Sequence, residues 1–145
     1  MKIGLVYATK TNHSKKIADS IGAALNITAE NTASNPKLED VDLLFLVGGI
    51  YASKSLPEMI NYVRSLDLSK VKQVALVTSC VSKRIPQAEV RELLTGNGIK
   101  VVDEFICQGN FLFFGMGHPN TGDIEAAVGF AQKTVGAQHG VSAKT

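Results

Sequence analysis

The stretch Ile3-Gly4-Leu5-Val6-Tyr7-Ala8-Thr9-Lys10-Thr11-Asn12-His13-Ser14 passes from an apolar run into a hydroxyl-rich turn, and a segment of helical period begins directly after it. The apolar run reads as a buried strand, so the turn stands at the edge of a sheet. The helix that follows offers unpaired backbone N–H groups and a positive dipole end, a combination that attracts an anion. Thr9, Thr11 and Ser14 can donate hydroxyl hydrogen bonds to a phosphate, and Ser14 or His13 can serve as N-cap when no anion is present. Hydroxyl side chains at such a turn also cap helices in any α/β protein, so the choice between a cap and a phosphate loop rests on the rest of the chain.

Downstream, apolar runs alternate with helix-period segments. Ile17, Ile21 and Leu25 recur at four-residue spacing with Ala18 and Gly22 beside them, which predicts one buried helix face. Ile27 to Glu30 reads as a weak second strand, and the polar stretch through Asn35 and Pro36 as loop. Leu43 to Val47 is a continuous apolar strand ending in Gly48-Gly49, where the chain must turn sharply or let something approach its backbone. Ser55 and Glu58 predict a capping box with Pro57 in the first turn, before a stripe of Met59, Ile60, Val63 and Leu66. Val74 to Thr78 predicts a fourth strand ending at Ser79-Cys80. Pro86 then opens a helix carrying Val90, Leu93 and Leu94 that stops near Gly96. Val101 to Cys107 is the fifth strand, and a loop from Gly109 to Asn120 holds Phe111, Phe113, Phe114 and Met116. The last helix carries Ile124, Ala127, Val128, Ala131 and Val135, with residues 136–145 expected as a frayed tail. This alternation predicts an α/β fold of three layers, a doubly wound, five-stranded parallel sheet covered on both faces.

At 145 residues, 45% hydrophobic and 19% charged, the chain fits a single domain spanning 1–145. No apolar run approaches the roughly 20 residues that span a bilayer, and the N-terminus enters the first strand without a basic region or cleavage site. A cytoplasmic protein with no membrane partner is expected. Cys80 and Cys107 have neither metal-ligand spacing nor a disulfide framework and read as small buried hydrophobes at strand ends. The net charge of +2 is too small and too scattered to imply nucleic-acid binding.

Ligands of open parallel sheets bind outside the carboxyl ends of the strands, where strand order reverses. The polar and glycine-rich segments fall there: Thr9 to Ser14, Gly49 to Lys54, Ser79 to Lys83 and the phenylalanine loop. No G-x-G-x-x-G follows the first strand, since Gly115-Met116-Gly117 is misplaced and lacks the third glycine, and no G-x-x-x-x-G-K-[ST] occurs. A phosphoacceptor receiver domain requires acidic residues where this chain has Ala8-Thr9 and Gly48-Gly49.

Val6-Tyr7-Ala8-Thr9-Lys10-Thr11-Asn12-His13-Ser14 is similar to the S/T-x-T-G-N-T loop with which the flavodoxin family binds the phosphate of FMN. Leu38 and Val41-Asp42-Leu43-Leu44-Phe45-Leu46-Val47-Gly48-Gly49 resemble that family's approach to its second flavin loop. The resemblance covers nearly the whole chain and implies strand order 2-1-3-4-5. It departs at Asn12, where glycine is usual, and at His13, where asparagine is usual; Asn tolerates the left-handed conformation better than most residues.

The resemblance implies that Thr9, Lys10, Thr11, Asn12, His13 and Ser14 hold the FMN phosphate. The flavin ring would lie between Gly49-Ile50-Tyr51-Ala52 and Ser79-Cys80-Val81-Ser82, with Tyr51 stacked on it or at the edge of the core. Packing is the first expectation for the phenylalanine loop; a lid role predicts Phe113 or Phe114 partly exposed beside the ring. Lys10, Lys54, Lys83 and Arg84, with no Asp or Glu in those loops, predict a less negative reduction potential than acidic flavodoxins have. No residue is required as acid, base or metal ligand. The implied function is an electron carrier between a reductase and an acceptor protein. A flavin-dependent NAD(P)H:quinone or substrate reductase ranks second, and a flavin-free protein-binding module third.

Overall fold

A run of consecutive apolar residues is fully buried only when both faces of its strand are covered. Leu43, Leu44, Phe45, Leu46 and Val47 are all shielded from solvent, in the middle of the central strand β3 (Val41–Tyr51). The computed structural model describes residues 1–9, 12–51, 54–80, 87–108 and 121–143. Around β3 the chain forms β1 (Ile3–Tyr7), α1 (His13–Leu25), β2 (Glu30–Asn31), β4 (Lys54–Ser55), α2 (Pro57–Ser65), β5 (Val71–Cys80), α3 (Ala88–Gly96), β6 (Lys100–Gln108) and α4 (Thr121–Ala143).

The sheet order is β2-β1-β3-β5-β6, with β4 paired antiparallel to the end of β3. All other pairings are parallel. Counting only the parallel strands, the order is 2-1-3-4-5, the doubly wound arrangement that the sequence predicts. Right-handed crossovers fix which helix covers which face. The step from β1 to β2 runs one way along the sheet and the steps from β3 to β5 to β6 run the other, so α1 lies on one face and α2 and α3 on the opposite one. Ile17, Ile21, Ala127 and Ala131 of α1 and α4 pack on Leu5, Leu43, Phe45 and Val77. Met59, Val63, Val90 and Leu94 of α2 and α3 pack on Val6, Leu44, Leu46 and Leu76. Each fully buried Ile or Leu contributes roughly 1.5–3 kcal/mol relative to exposure.

At the amino end of β3, the Lys2 backbone N–H donates to the Asp42 carboxylate at 2.7 Å and the Asp42 N–H donates back to the Lys2 carbonyl at 2.8 Å. Among the described residues, no helix is long and apolar enough to cross a membrane, and no group of His, Cys, Asp or Glu could hold a metal ion.

Several local expectations are corrected. The second strand is Glu30–Asn31 alone, paired with Val6 and Tyr7, and the Ile27 N–H is taken instead by the end of α1, donating to the Gly22 carbonyl at 2.9 Å. β3 does not turn at Gly48-Gly49 but runs on to Tyr51, where Ile50 and Tyr51 pair with Ser55 and Lys54. That pairing draws Ser55 into a strand, so the capping box does not form. Leu56 is the N-cap of α2, without a side-chain cap bond, and Pro57 occupies the first turn. The third helix begins at Ala88 behind the N-cap Gln87; Pro86 lies outside the described residues. The last helix runs through Ala143 instead of ending at Gly136, which is helical and lacks the positive φ of a terminating glycine.

Candidate functional site

The strand order reverses between β1 and β3, and the carboxyl ends of β1, β3 and β5 meet on that side of the sheet. The Ala8 N–H donates to the Val47 carbonyl at 3.0 Å, so β1 stays beside β3 until the chain enters its turn. Asn12 has φ 66° and ψ 3°, the left-handed conformation that the usual glycine would supply. It is the N-cap of α1 through its backbone carbonyl, which accepts from the Lys16 N–H at 3.1 Å, while its side chain makes no cap bond. Ser14 and His13, the expected caps, are therefore already inside the helix.

Two hydroxyls point to a ligand. Ser14 is fully buried, yet its Oγ has no hydrogen-bond partner, and the buried Oγ1 of Thr9 has none either. Polar groups in this state are costly unless something pairs with them. An anion seated on the amino end of α1 would satisfy both hydroxyls and meet the positive end of the helix dipole. His13, the first helical residue, is half-buried. Lys15 does not join this set, because its ammonium pairs along the helix with Asp19 at 2.6 Å. Lys10 and Thr11 lie outside the described residues.

Further along the edge, Gly49 and Ile50 of β3 pair in register with Ser79 and Cys80 of β5. The described parts of the two segments expected to hold the flavin ring are thus neighbouring strand ends, and Ser79 is buried there. The backbone of Tyr51 belongs to β3, but its side chain and those of Ile50, Lys54 and Cys80 are outside the description, as are Ala52, Val81, Ser82, Lys83 and Arg84. Phe111, Phe113, Phe114 and Met116 also lie outside it.

Beneath the end of β5 sits a polar cluster absent from the sequence reading. The Glu104 side chain is only 8% exposed and accepts from the Thr78 hydroxyl at 3.1 Å, the Gln87 backbone N–H at 2.9 Å and the Arg91 guanidinium at 2.8 Å. The Gln87 side-chain amide donates to the Val77 carbonyl at 3.2 Å and to the Thr78 hydroxyl at 3.0 Å. Its Oε1 has no partner and lies against Gly48, where an added Cβ would come within 2.7 Å of it. Gly48 is therefore a place of close approach, as expected, but the approaching group is this amide. A bulge explains why Glu104 escaped the strand pattern. The pairing of β5 with β6 shifts between Val74 and Ala75, passing over Val102, so Glu104 lands beside Leu76 on the face covered by α3.

A family model described as a flavodoxin domain matches residues 5–112. A flavodoxin from the domain Archaea superposes with a TM-score of 0.67 at 16% identity, covering 92% of this chain and 98% of that one. A short-chain flavodoxin associated with a non-canonical PDU bacterial microcompartment gives 0.67 at 15% identity, with 94% and 99% covered. Oxidised flavodoxin 2 from Bacillus cereus gives 0.60 at 18% identity, with 90% and 95% covered. At these identities the structural likeness speaks to the fold alone, and no curated protein matches the chain in sequence. The family match, spanning well over half of the residues and ending beyond the last strand, establishes that this chain belongs to the flavodoxin-domain family.

Proposed function

We propose that this protein binds FMN and carries electrons between a reductase and an acceptor protein. The observation that carries the reading is the pair of buried, unpartnered hydroxyls of Thr9 and Ser14 at the amino end of α1, where the N-cap side chain makes no bond. Their chemistry fits a phosphate: two hydroxyl donors, first-turn N–H groups and a helix dipole of the right sign. Lys10, Thr11, Asn12 and His13 complete that end in this reading. Gly49, Ile50, Tyr51 and Ala52, with Ser79, Cys80, Val81 and Ser82, would hold the ring. When bound, FMN supplies one- and two-electron redox chemistry, and the protein supplies orientation, exclusion of water and an electrostatic field. Family membership and the flavodoxin-like neighbours support the same cofactor class.

The test is the visible spectrum of the purified protein after FMN is added and unbound ligand is removed. A retained flavin spectrum is the expected result; a colourless protein would overturn the reading. With flavin retained, reduction only in the presence of a reductase protein supports the carrier. Rapid bleaching by NAD(P)H alone would instead make the protein a reductase.

A further inference from the structure

We propose that Gln87 and Glu104 are positioning residues for the ring end of the flavin, an inference that rests on the FMN reading above. One carboxylate joins the end of β5 to the start of α3. Glu104 accepts from Thr78, just before the end of β5, and from the Gln87 N–H, just before α3. Arg91, one turn into α3, neutralises it at 2.8 Å. A nearly enclosed carboxylate with three donors, one of them a cation, is confined to one geometry.

Gln87 extends this anchor across the sheet. Its amide is hydrogen-bonded to β5 at Val77 and Thr78 and packs on β3 at Gly48, two strands that pair Gly48 with Thr78. The next pair, Gly49 with Ser79, belongs to the ring-holding segments. A single buried side chain, itself anchored by Glu104, therefore sets how the two strands approach the ring. Buried charged groups are seldom needed for stability, since apolar packing of the same volume does as well, whereas they can fix one arrangement. The hydroxyls of Thr9 and Ser14 make no bond to this cluster. Loosening it is accordingly expected to harm binding of the ring and to spare binding of the phosphate.

The experiment compares wild type with Glu104→Gln, which keeps the shape but removes the charge facing Arg91, and with Gln87→Met, which keeps the length but removes the amide. The readouts are the affinities for FMN and riboflavin, the midpoint potential of the bound flavin, and the rise in thermal midpoint caused by inorganic phosphate. Both flavins are expected to bind about tenfold more weakly or worse, with a shifted potential and an unchanged phosphate effect. Unaltered flavin affinities in a wild-type background that binds FMN would overturn this inference alone. A parallel loss of the phosphate effect would also overturn it, since that marks general destabilisation. A wild type unable to hold FMN would remove the FMN reading and this inference with it. If Glu104→Gln does not fold, the neutral exchange at Gln87 decides the question.

Discussion

Ser14 is fully enclosed and its hydroxyl has no partner, a state worth about 1–3 kcal/mol of lost solvation. Ser14→Ala is therefore expected to leave the ligand-free protein at least as stable as wild type, while weakening FMN roughly tenfold; thermal melts and a flavin titration check both. A hydroxyl with a purely structural role would give a loss in the first measurement and none in the second. Tyr62 presents the opposite case, a buried polar group that is paired. Its hydroxyl donates to the Pro36 carbonyl at 2.6 Å, and burial pushes its pKa from 10.0 to about 12, with a smaller contribution from Glu30. Because the folded value is the higher one, Tyr62 contributes its full stabilisation below pH 10, and this is lost as pH rises toward about 12. Denaturant midpoints measured against pH are expected to fall over that window in wild type. Tyr62→Phe should lower the plateau by about 1 kcal/mol and reduce the alkaline decline. At this scale the sequence showed which side chains can donate to a phosphate, because residue type and turn position suffice for that. It concealed Gln87, a polar residue after a proline, because only the pairing of β3 with β5 brings it over Gly48.

Helices α1 and α4 supply a controlled pair of glycines. In α1, Gly22 lies where the chain folds back after the helix: an added Cβ would stand 2.7 Å from the Ile27 carbonyl oxygen and 3.3 Å from Leu5 Cδ2. Gly129 in α4 faces open space. Alanine is favoured over glycine in a helix interior by about 1 kcal/mol, so Gly129→Ala is expected to stabilise by roughly 0.5–1 kcal/mol. Gly22→Ala meets backbone that cannot swing aside, and overpacking of about 1–3 kcal/mol outweighs that preference. Urea unfolding of the two variants should give shifts of opposite sign. The long elements were readable because burial on both faces leaves continuous apolar runs and helical stripes. The short ones were not. β2 is two residues paired at a sheet edge, and the antiparallel arm at Lys54–Ser55 exists only because β3 continues past its glycines.

Over the molecule as a whole, Lys10, Lys83 and Arg84 belong to the segments that the sequence reading assigns to the flavin edge of the sheet, and Lys54 stands in β4 beside the end of β3. One cation ~10 Å from the ring at an effective dielectric of ~20 is worth on the order of 1.7 kcal/mol. That corresponds to roughly 70 mV for a one-electron couple. A redox titration is expected to give a final reduction step less negative than in acidic flavodoxins, and raising the salt concentration should shrink the difference. Layering was legible because alternating strands and helices leave few ways to cover a parallel sheet on both faces, whereas the strand order was implied by the resemblance carried by the Thr9 to Ser14 loop. The helices divide the core into two halves, and β3 serves both, with Leu44 and Leu46 in one and Leu43, Phe45 and Val47 in the other. Its alternating faces are consequently almost interchangeable in hydrophobicity, and a slip by one residue would still bury only apolar side chains along its middle. Choice of alignment falls to the polar contacts at its ends. A slip would part Asp42 from Lys2, and in one direction it would push the Val47 side chain into the space that Gly48 leaves for Gln87. The central strand is thus proofread at its two ends, and damage at either is expected to populate misaligned chains before it empties the core.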